Sequence, residues 1–295
     1  MTLLQIVGDA CDEMGLDRPQ GVVGNHQPQV RQLFALLRRL CADLVKQHDW
    51  QELVSIASVQ SQSFVRSAST QQGSVMLSLN DGNGITDDFA VQGAGIQKGS
   101  TVVSVQGNMV EMSLPATATS TADVTFGRYR FDMPDDFCRM IDNTAWDKST
   151  IFGMYGALSS QGWQAFNSAI ANVGLNLMYR IRQGKLEITP TPLGDRSITY
   201  EYISNRFVTS GTERLDHFDA DQNGTVFNHS LLVIGLMLMF RQANGLDATF
   251  ELGQFQTLLA QLKAQDRPAP TINTSRAGSP ALVGMQNTPD GSWNV

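Results

Sequence analysis

Residues 231–240 read LLVIGLMLMF, ten consecutive apolar residues. The run is half of the ~20 residues a membrane span needs, and nothing polar interrupts it. It therefore predicts a helix buried on all sides inside a protein core. Such a helix needs partners, and flanking segments supply them. Residues 27–48 carry Val30, Leu33, Phe34, Leu37, Leu40, Cys41, Leu44 and Val45 on one helical stripe, with Arg31, Arg38, Asp43 and Lys46 falling away from it. Asn25 is the expected N-cap, Pro28 falls in the first turn, and Trp50 is expected to plug the base. Residues 2–15 repeat the spacing with Leu3, Leu4, Val7, Ala10, Cys11 and Met14. The apolar run itself sits in a helix over about 226–244, stopped by Gly245. A last helix over about 249–265 sets Phe255, Leu258, Leu259 and Leu262 on one side. Ser159 or Ser160 caps a further helix with Trp163, Phe166, Ile170 and Val173 on one face, ended by Gly174. Trp50, Trp163, Leu236 and Phe240 are the expected core anchors.

Between these helices the period changes. Residues 53–66 (LVSIASVQSQSFVR) alternate loosely and read as a strand. LMYRIR, KLEITP and SITYEYIS read as three more, the first two joined at Gln183-Gly184. Residues 134–141 are expected to form a short helix, with Asp135 and Asp136 in the first turn where the dipole favours acids. From Ser69 to Gly127 the composition shifts: no Arg, one Lys, one Pro and five acids in a stretch built of Gly, Ser, Thr and Val. SVMLSL, TVVSV and MVEMSL alternate there, the last two joined by the turn Gln106-Gly107-Asn108.

The expected fold class is thus α+β: an α-helical bundle packed with a small antiparallel sheet, interrupted by a small all-β module. The domain reading is a core over 1–68 and 128–266, an inserted module over 69–127, and an extended C-terminal arm over 267–295. The strand that resumes at Arg128 (RYRFDMPDDF) could pair with the one before the insertion. The arm holds four of the ten prolines, three charges and no helical period. At ~3.3 Å per residue its 29 residues could reach about 95 Å.

Composition narrows the function. Charged residues are only 17 % of the chain, while 24 Gln outnumber all 21 Lys and Arg, and 16 of those 21 are Arg. Depleted charge with Arg as the main cation fits a surface partly covered by partners. A net charge of −7 argues against a protein that wraps DNA by a basic patch. Cys11, Cys41 and Cys138 are far apart and odd in number, so buried free thiols are expected instead of a disulfide framework. The start MTLLQIVGDACDEMG lacks a basic region and does not read as a secretory signal.

Motifs for chemistry fail one by one. Asp219-x-Asp221-x-Asn223-Gly224 matches the opening of a calcium loop, but Ser230 stands where a bidentate Glu is needed, so a capped loop is expected. His26, His48, His217 and His229 have no zinc-binding spacing. Neither a phosphate loop nor a GxSxG elbow occurs. No catalytic residue, metal or cofactor is expected.

Five segments in collinear order resemble one family, the head-to-tail adaptor (connector, or tail-tubular-type) proteins of short-tailed bacteriophages. YRFDMPDDFCRMI is similar to the family's Tyr…Pro-x-Asp-Phe/Tyr-x-Arg step, at Tyr129, Pro134, Asp136, Phe137 and Arg139. The stretch from Gly156 through Leu158 to Trp163 is similar to its G-x-L-x-x-x-x-W loop. YRIRQGKLEITPTP with ITYEYISNRFV is similar to its strand pair. The two closing helices resemble the family's own, with a hinge at Arg241, Gly245, Leu246 and Asp247. A leading helix pair followed by Trp50 completes the order. The resemblance covers about 200 of 295 residues. The 69–127 insert departs from it and resembles small β modules of phage structural proteins, through Gly93-Ala94-Gly95-Ile96 and Gly99-Ser100-Thr101-Val102.

The resemblance implies a structural virion protein, not an enzyme. It implies a self-associated ring, usually of twelve copies, below the portal protein. That ring joins the DNA-filled head to the tail tube or nozzle protein and lets DNA pass without sequence-specific binding. The location implied is the head–tail junction of the virion, with assembly in the host cytoplasm and no membrane partner. Family members dock a C-terminal extension on the portal, which makes Pro280, Leu282, Val283, Met285 and Trp293 the candidate contacts, a short apolar cluster and a large aromatic anchor. The alternative reading is a tail binding module whose β insert recognises a host surface or carbohydrate.

Overall fold

Strand pairing dominates the architecture. The computed structural model describes residues 1–168 and 176–266. Among these, strand (32 %) exceeds helix (29 %), which overturns the expected helical bundle with a small sheet. The described residues form seventeen strands in four antiparallel sheets and five α-helices, four of which gather round one of three separate cores.

Helices α1 (Leu3–Met14) and α2 (Pro28–Gln47) open the chain. Thr2 and Gln5 form a reciprocal capping box on α1. Gln27, not Asn25, is the N-cap of α2; the Asn25 side chain accepts from the Gln27 N–H just outside the helix. Strand β1 (Val54–Gln60) follows. The single strand expected over 53–66 is in fact two. The chain turns at Ser61, which is buried and holds the Arg196 backbone through Ser61 N–H to Arg196 O (2.8 Å) and Arg196 N–H to Ser61 Oγ (2.7 Å).

Beyond that turn lies the β module: β2 (Ser63–Thr70), β3 (Met76–Leu79), β4 (Phe89–Gly93), β5 (Val102–Gln106), β6 (Met109–Met112) and β7 (Ser120–Arg128). Their order is β4-β7-β2-β3-β6-β5. An Ala90–Thr101 bridge and the Val91 N–H to Ser100 O bond (2.9 Å) bring the two edge strands together, so the sheet curls towards a small barrel. Leu77, Phe89, Val110, Val124 and Phe126 fill its interior. The module's strands thus run from Ser63 to Arg128, because β2 pairs with β7 along its whole length.

The remaining strands are short and closely interleaved: β8 (Arg130–Asp132), β9 (Phe137–Met140), β10 (Trp146–Asp147), β11 (Phe152–Gly153), then α3 (Ser160–Ser168), β12 (Met178–Arg182), β13 (Lys185–Thr189) and β14 (Ser197–Ser204). β14 is the hub. It pairs with β1 on one side and with β9 and β10 on the other. β8 pairs with β13 and not with the strand before the insert. The helix expected over 134–141 is strand β9, which lies against Tyr202 and Ile203 of β14. The Ile170, Val173 and Gly174 end of the third helix lies outside the described residues, as does the 267–295 arm. Three small strands follow, β15 (Val208–Ser210), β16 (Glu213–Leu215) and β17 (Gly224–Thr225), then helices α4 (His229–Ala243) and α5 (Thr249–Asp266).

Helix α4 carries the opening apolar run, capped by the Asn228 side chain. Leu231, Leu232 and Leu236 are fully buried, and α1, α2 and α5 all pack on α4. Gly235 permits this crowding: a Cβ there would sit 2.7 Å from Leu40 and 2.9 Å from Phe255. No helix among the described residues is long and apolar enough to cross a membrane.

Candidate functional site

Three of the five segments that resemble the adaptor family sit at joints between elements. Pro134 begins a turn that Phe137 N–H closes onto its carbonyl. Asp136 then accepts from the Tyr202 hydroxyl (2.8 Å) and the Ser204 hydroxyl (2.7 Å) of β14. Burial alone would raise the Asp136 carboxyl, but these hydroxyls, its own backbone N–H and the nearby Arg206 charge outweigh it and hold the group below its usual range. The same contact, with burial as the larger cause, pushes Tyr202 up to about 12. Phe137 stacks on Tyr202 with centroids 5.7 Å apart, and Arg139 pairs with Asp49 just past α2. Asp136 is thus an acceptor in a clasp, and it is not part of a helix start.

The loop from Gly156 to Trp163 forms a second joint. Gly156 lies so close to β12 that a Cβ would sit 2.5 Å from the Tyr179 carbonyl, and Leu158 N–H donates to that carbonyl at 2.9 Å. Ser159 Oγ caps the following turn by accepting from Gly162 N–H (3.0 Å). Trp163, 6 % exposed, then covers the Arg180 guanidinium at 4.1 Å from the ring centre. Beneath it runs a cross-strand row that the sequence reading missed. Glu187 on β13 is 4 % exposed and sits between Arg180 on β12 (2.5 Å) and Arg130 on β8 (3.3 Å). The strand register places both arginines directly opposite it. The alternation of KLEITP was the available signal, since Leu186 and Ile188 take one face and leave Glu187 on the other.

A third cluster fixes the β module to its host. Asp88, 7 % exposed, receives Lys185 Nζ at 2.9 and 3.1 Å, with Arg128 at 3.7 Å, and its carbonyl accepts from Tyr129 N–H. A fourth is the α4–α5 hinge. Arg241 pairs with the buried Glu251 (3.0 Å), and Gly245 turns the chain at φ +70°. Asp247 Oδ1 caps α5 through Thr249 N–H (3.0 Å) and its hydroxyl (2.6 Å), and those bonds hold its carboxyl below the usual range. Leu246 and Phe250 are left 57 % and 71 % exposed, which makes this corner an apolar surface patch.

The calcium-like loop is tied down by its own side chains. Asp221 Oδ1 accepts from the Val22 and Val23 N–H groups, and Asp219 accepts from the Asn223 amide. Among the described residues no group of three His, Cys, Asp or Glu side chains is placed to hold a metal ion. Burial pushes the Cys41 thiol well up, as an inert core cysteine requires.

Of the anchor residues, Trp50 is 8 % exposed, donates its Nε1–H to Leu44 O (2.8 Å) and meets Phe227 edge-on at 5.8 Å. Leu236 is fully buried, and Phe240 is half-buried against the same helical core. Pro280, Leu282, Val283, Met285 and Trp293 lie outside the described residues. Three clefts stand out among the described residues, and the most voluminous, of about 630 Å³, is polar and lined by Asp135, Asn205, Arg206, Glu213, Arg214, Leu215 and Asp216. Another, of about 360 Å³, is lined by Trp50, Glu52, Val226, Phe227, Asn228, Leu231, Leu262, Gln265 and Asp266. A third, of about 440 Å³, lies where the module meets its host, between residues 90–93 and 96–100 and Asn167, Thr189, Pro190 and Thr191, and has no aromatic ring among its described lining residues.

No known family model matches the chain, and no curated protein matches it either.

Proposed function

We propose that the chain is a structural virion subunit, a head-to-tail adaptor of a short-tailed bacteriophage that rings up below the portal protein and forms part of the DNA conduit. The observation that carries this reading is where the family-like residues sit. Asp136, Gly156, Trp163 and the Arg241–Asp247 hinge each lock one element to another instead of converging on a cleft. Residues spent on joints suit a protein whose job is to hold a shape under load.

The partners in this reading are the portal protein above, a tail tube or nozzle protein below, and further copies at the sides. DNA passes without sequence-specific contact, and the net charge of −7 opposes phosphate binding by the lining. The arm over 267–295, with Pro280, Leu282, Val283, Met285 and Trp293, is the portal contact. The virion head–tail junction is the place of action. Carbohydrate recognition by the β module gains no support from the cleft at its foot, whose described lining residues offer no ring for a sugar to stack on.

Electron microscopy of the purified chain, alone and mixed with portal rings, tests the proposal. Alone it should behave as a ~32 kDa monomer, since like-charged copies repel; with portal it should add a ring to the portal's tail-facing side. A chain that leaves portal rings bare would refute the assignment.

A further inference from the structure

The 360 Å³ groove at the end of α5 has no occupant among the described residues, and the last of those residues stand on its rim. Its apolar lining is the edge of the helical core: Trp50, Phe227 and Leu262, with the fully buried Leu231 beneath them. One wall is Gln265 and Asp266, the last described residues. That wall is fixed in place. Asp266 accepts from the Gln51 N–H (3.1 Å) and faces His48 Nε2 at 3.2 Å, while Lys263 Nζ donates to Gln47 O (3.3 Å). The remaining 29 residues therefore start on the rim of the groove, wherever they go afterwards.

The next six residues are Arg267-Pro268-Ala269-Pro270-Thr271-Ile272. Pro268 has no N–H with which to continue the ladder of α5. Proline-rich segments suit aromatic-lined grooves, because an extended, pre-stiffened backbone loses little entropy on docking. The volume takes a few small side chains and is too small for a folded partner. Glu52 on the rim already pairs with Arg214 Nη2 through Oε2 (3.0 Å), which leaves its second carboxylate oxygen for Arg267. Any outside ligand must compete with a segment tethered at the groove's edge, whose effective concentration is of millimolar order.

We propose that this groove is the seat of the chain's own residues 267–272, which root the arm on the body before its distal part departs. The inference concerns the isolated chain and stands or falls independently of the adaptor reading.

Hydrogen exchange on the full-length chain tests it. The comparison is with two full-length variants, one carrying GSGSGS in place of residues 267–272 and one carrying Pro268→Ser and Pro270→Ser. Amides of residues 50–53 and 226–231 should exchange roughly threefold or more slowly in the parent than in either variant. That protection should not change over a tenfold range of protein concentration. Equal exchange in parent and both variants would overturn the proposal. So would protection that grows with concentration alongside a doubled mass, which would assign the groove to a second copy. Should the first variant lose structure throughout, the double serine variant, which keeps the length and the arginine, decides the matter alone.

Discussion

Asp136 and Tyr202 tie their joint to pH from both sides. Asp136 titrates below its ordinary value of 3.8 in the folded chain. Its contribution to stability is therefore complete above that value and is lost as pH falls through the lower, folded one. Tyr202 and Tyr200 behave oppositely: both are pushed from 10 up to about 12, chiefly by burial. Below pH 10 they cost nothing, and between 10 and about 12 the unfolded chain ionises first, so stability drains away as pH rises. Asp136→Asn, which keeps an acceptor for the two hydroxyls, should flatten the acid limb of a urea-midpoint series and leave the alkaline limb in place. An acid limb unchanged by the substitution would mean that other carboxylates set it. Nothing local announces this clasp. PDDF looks like a helix start because acids favour helix N-termini, and the partners that redirect Asp136 lie 66 and 68 residues later in the chain.

Helices were legible because a 3.6-residue stripe is a local property. The four long ones fall within a few residues of where the stripes place them, and the turns at Gly107 and Gly184 occur as expected, both with positive φ. The short strands were not legible. β10, β11 and β17 have two residues each, too few for any period, and exist only because a longer strand supplies the ladder. Their sum moved the fold from a helical bundle to a set of sheets. The groove was equally hidden, since Trp50, Leu231 and Leu262 read as core residues of separate elements, and a cleft exists only where those three distant segments meet. Where the helical reading did hold, α4 makes a direct demand. Leu236 is fully buried at the meeting of several helices, so Leu236→Ala should cost about 2–5 kcal/mol in chemical denaturation. A loss near zero would show that the α4 face is not packed in solution as it is here.

At the scale of the molecule, three cores are strung on one chain, and the β module is the most self-contained of them. Its first and last strands run side by side, with Ser63 opposite Gly127. Replacing residues 64–126 by a short Gly-Ser linker should leave the helical circular dichroism of the host intact, because the linker has only to span one strand pairing. Global loss of helix in that variant would show that the module is needed for the host to fold.

The same adjacency gives the module a second thermodynamic role. While folded, it presents the host with two ends already held together, so the host closes no loop. Once melted, the same residues become a slack loop whose closure costs on the order of 3–4 kcal/mol, growing only with the logarithm of its length. The host is thus most stable with a folded module, nearly as stable with a short linker, and least stable with a module that is present and unfolded. A damaged barrel is worse for this protein than a missing one.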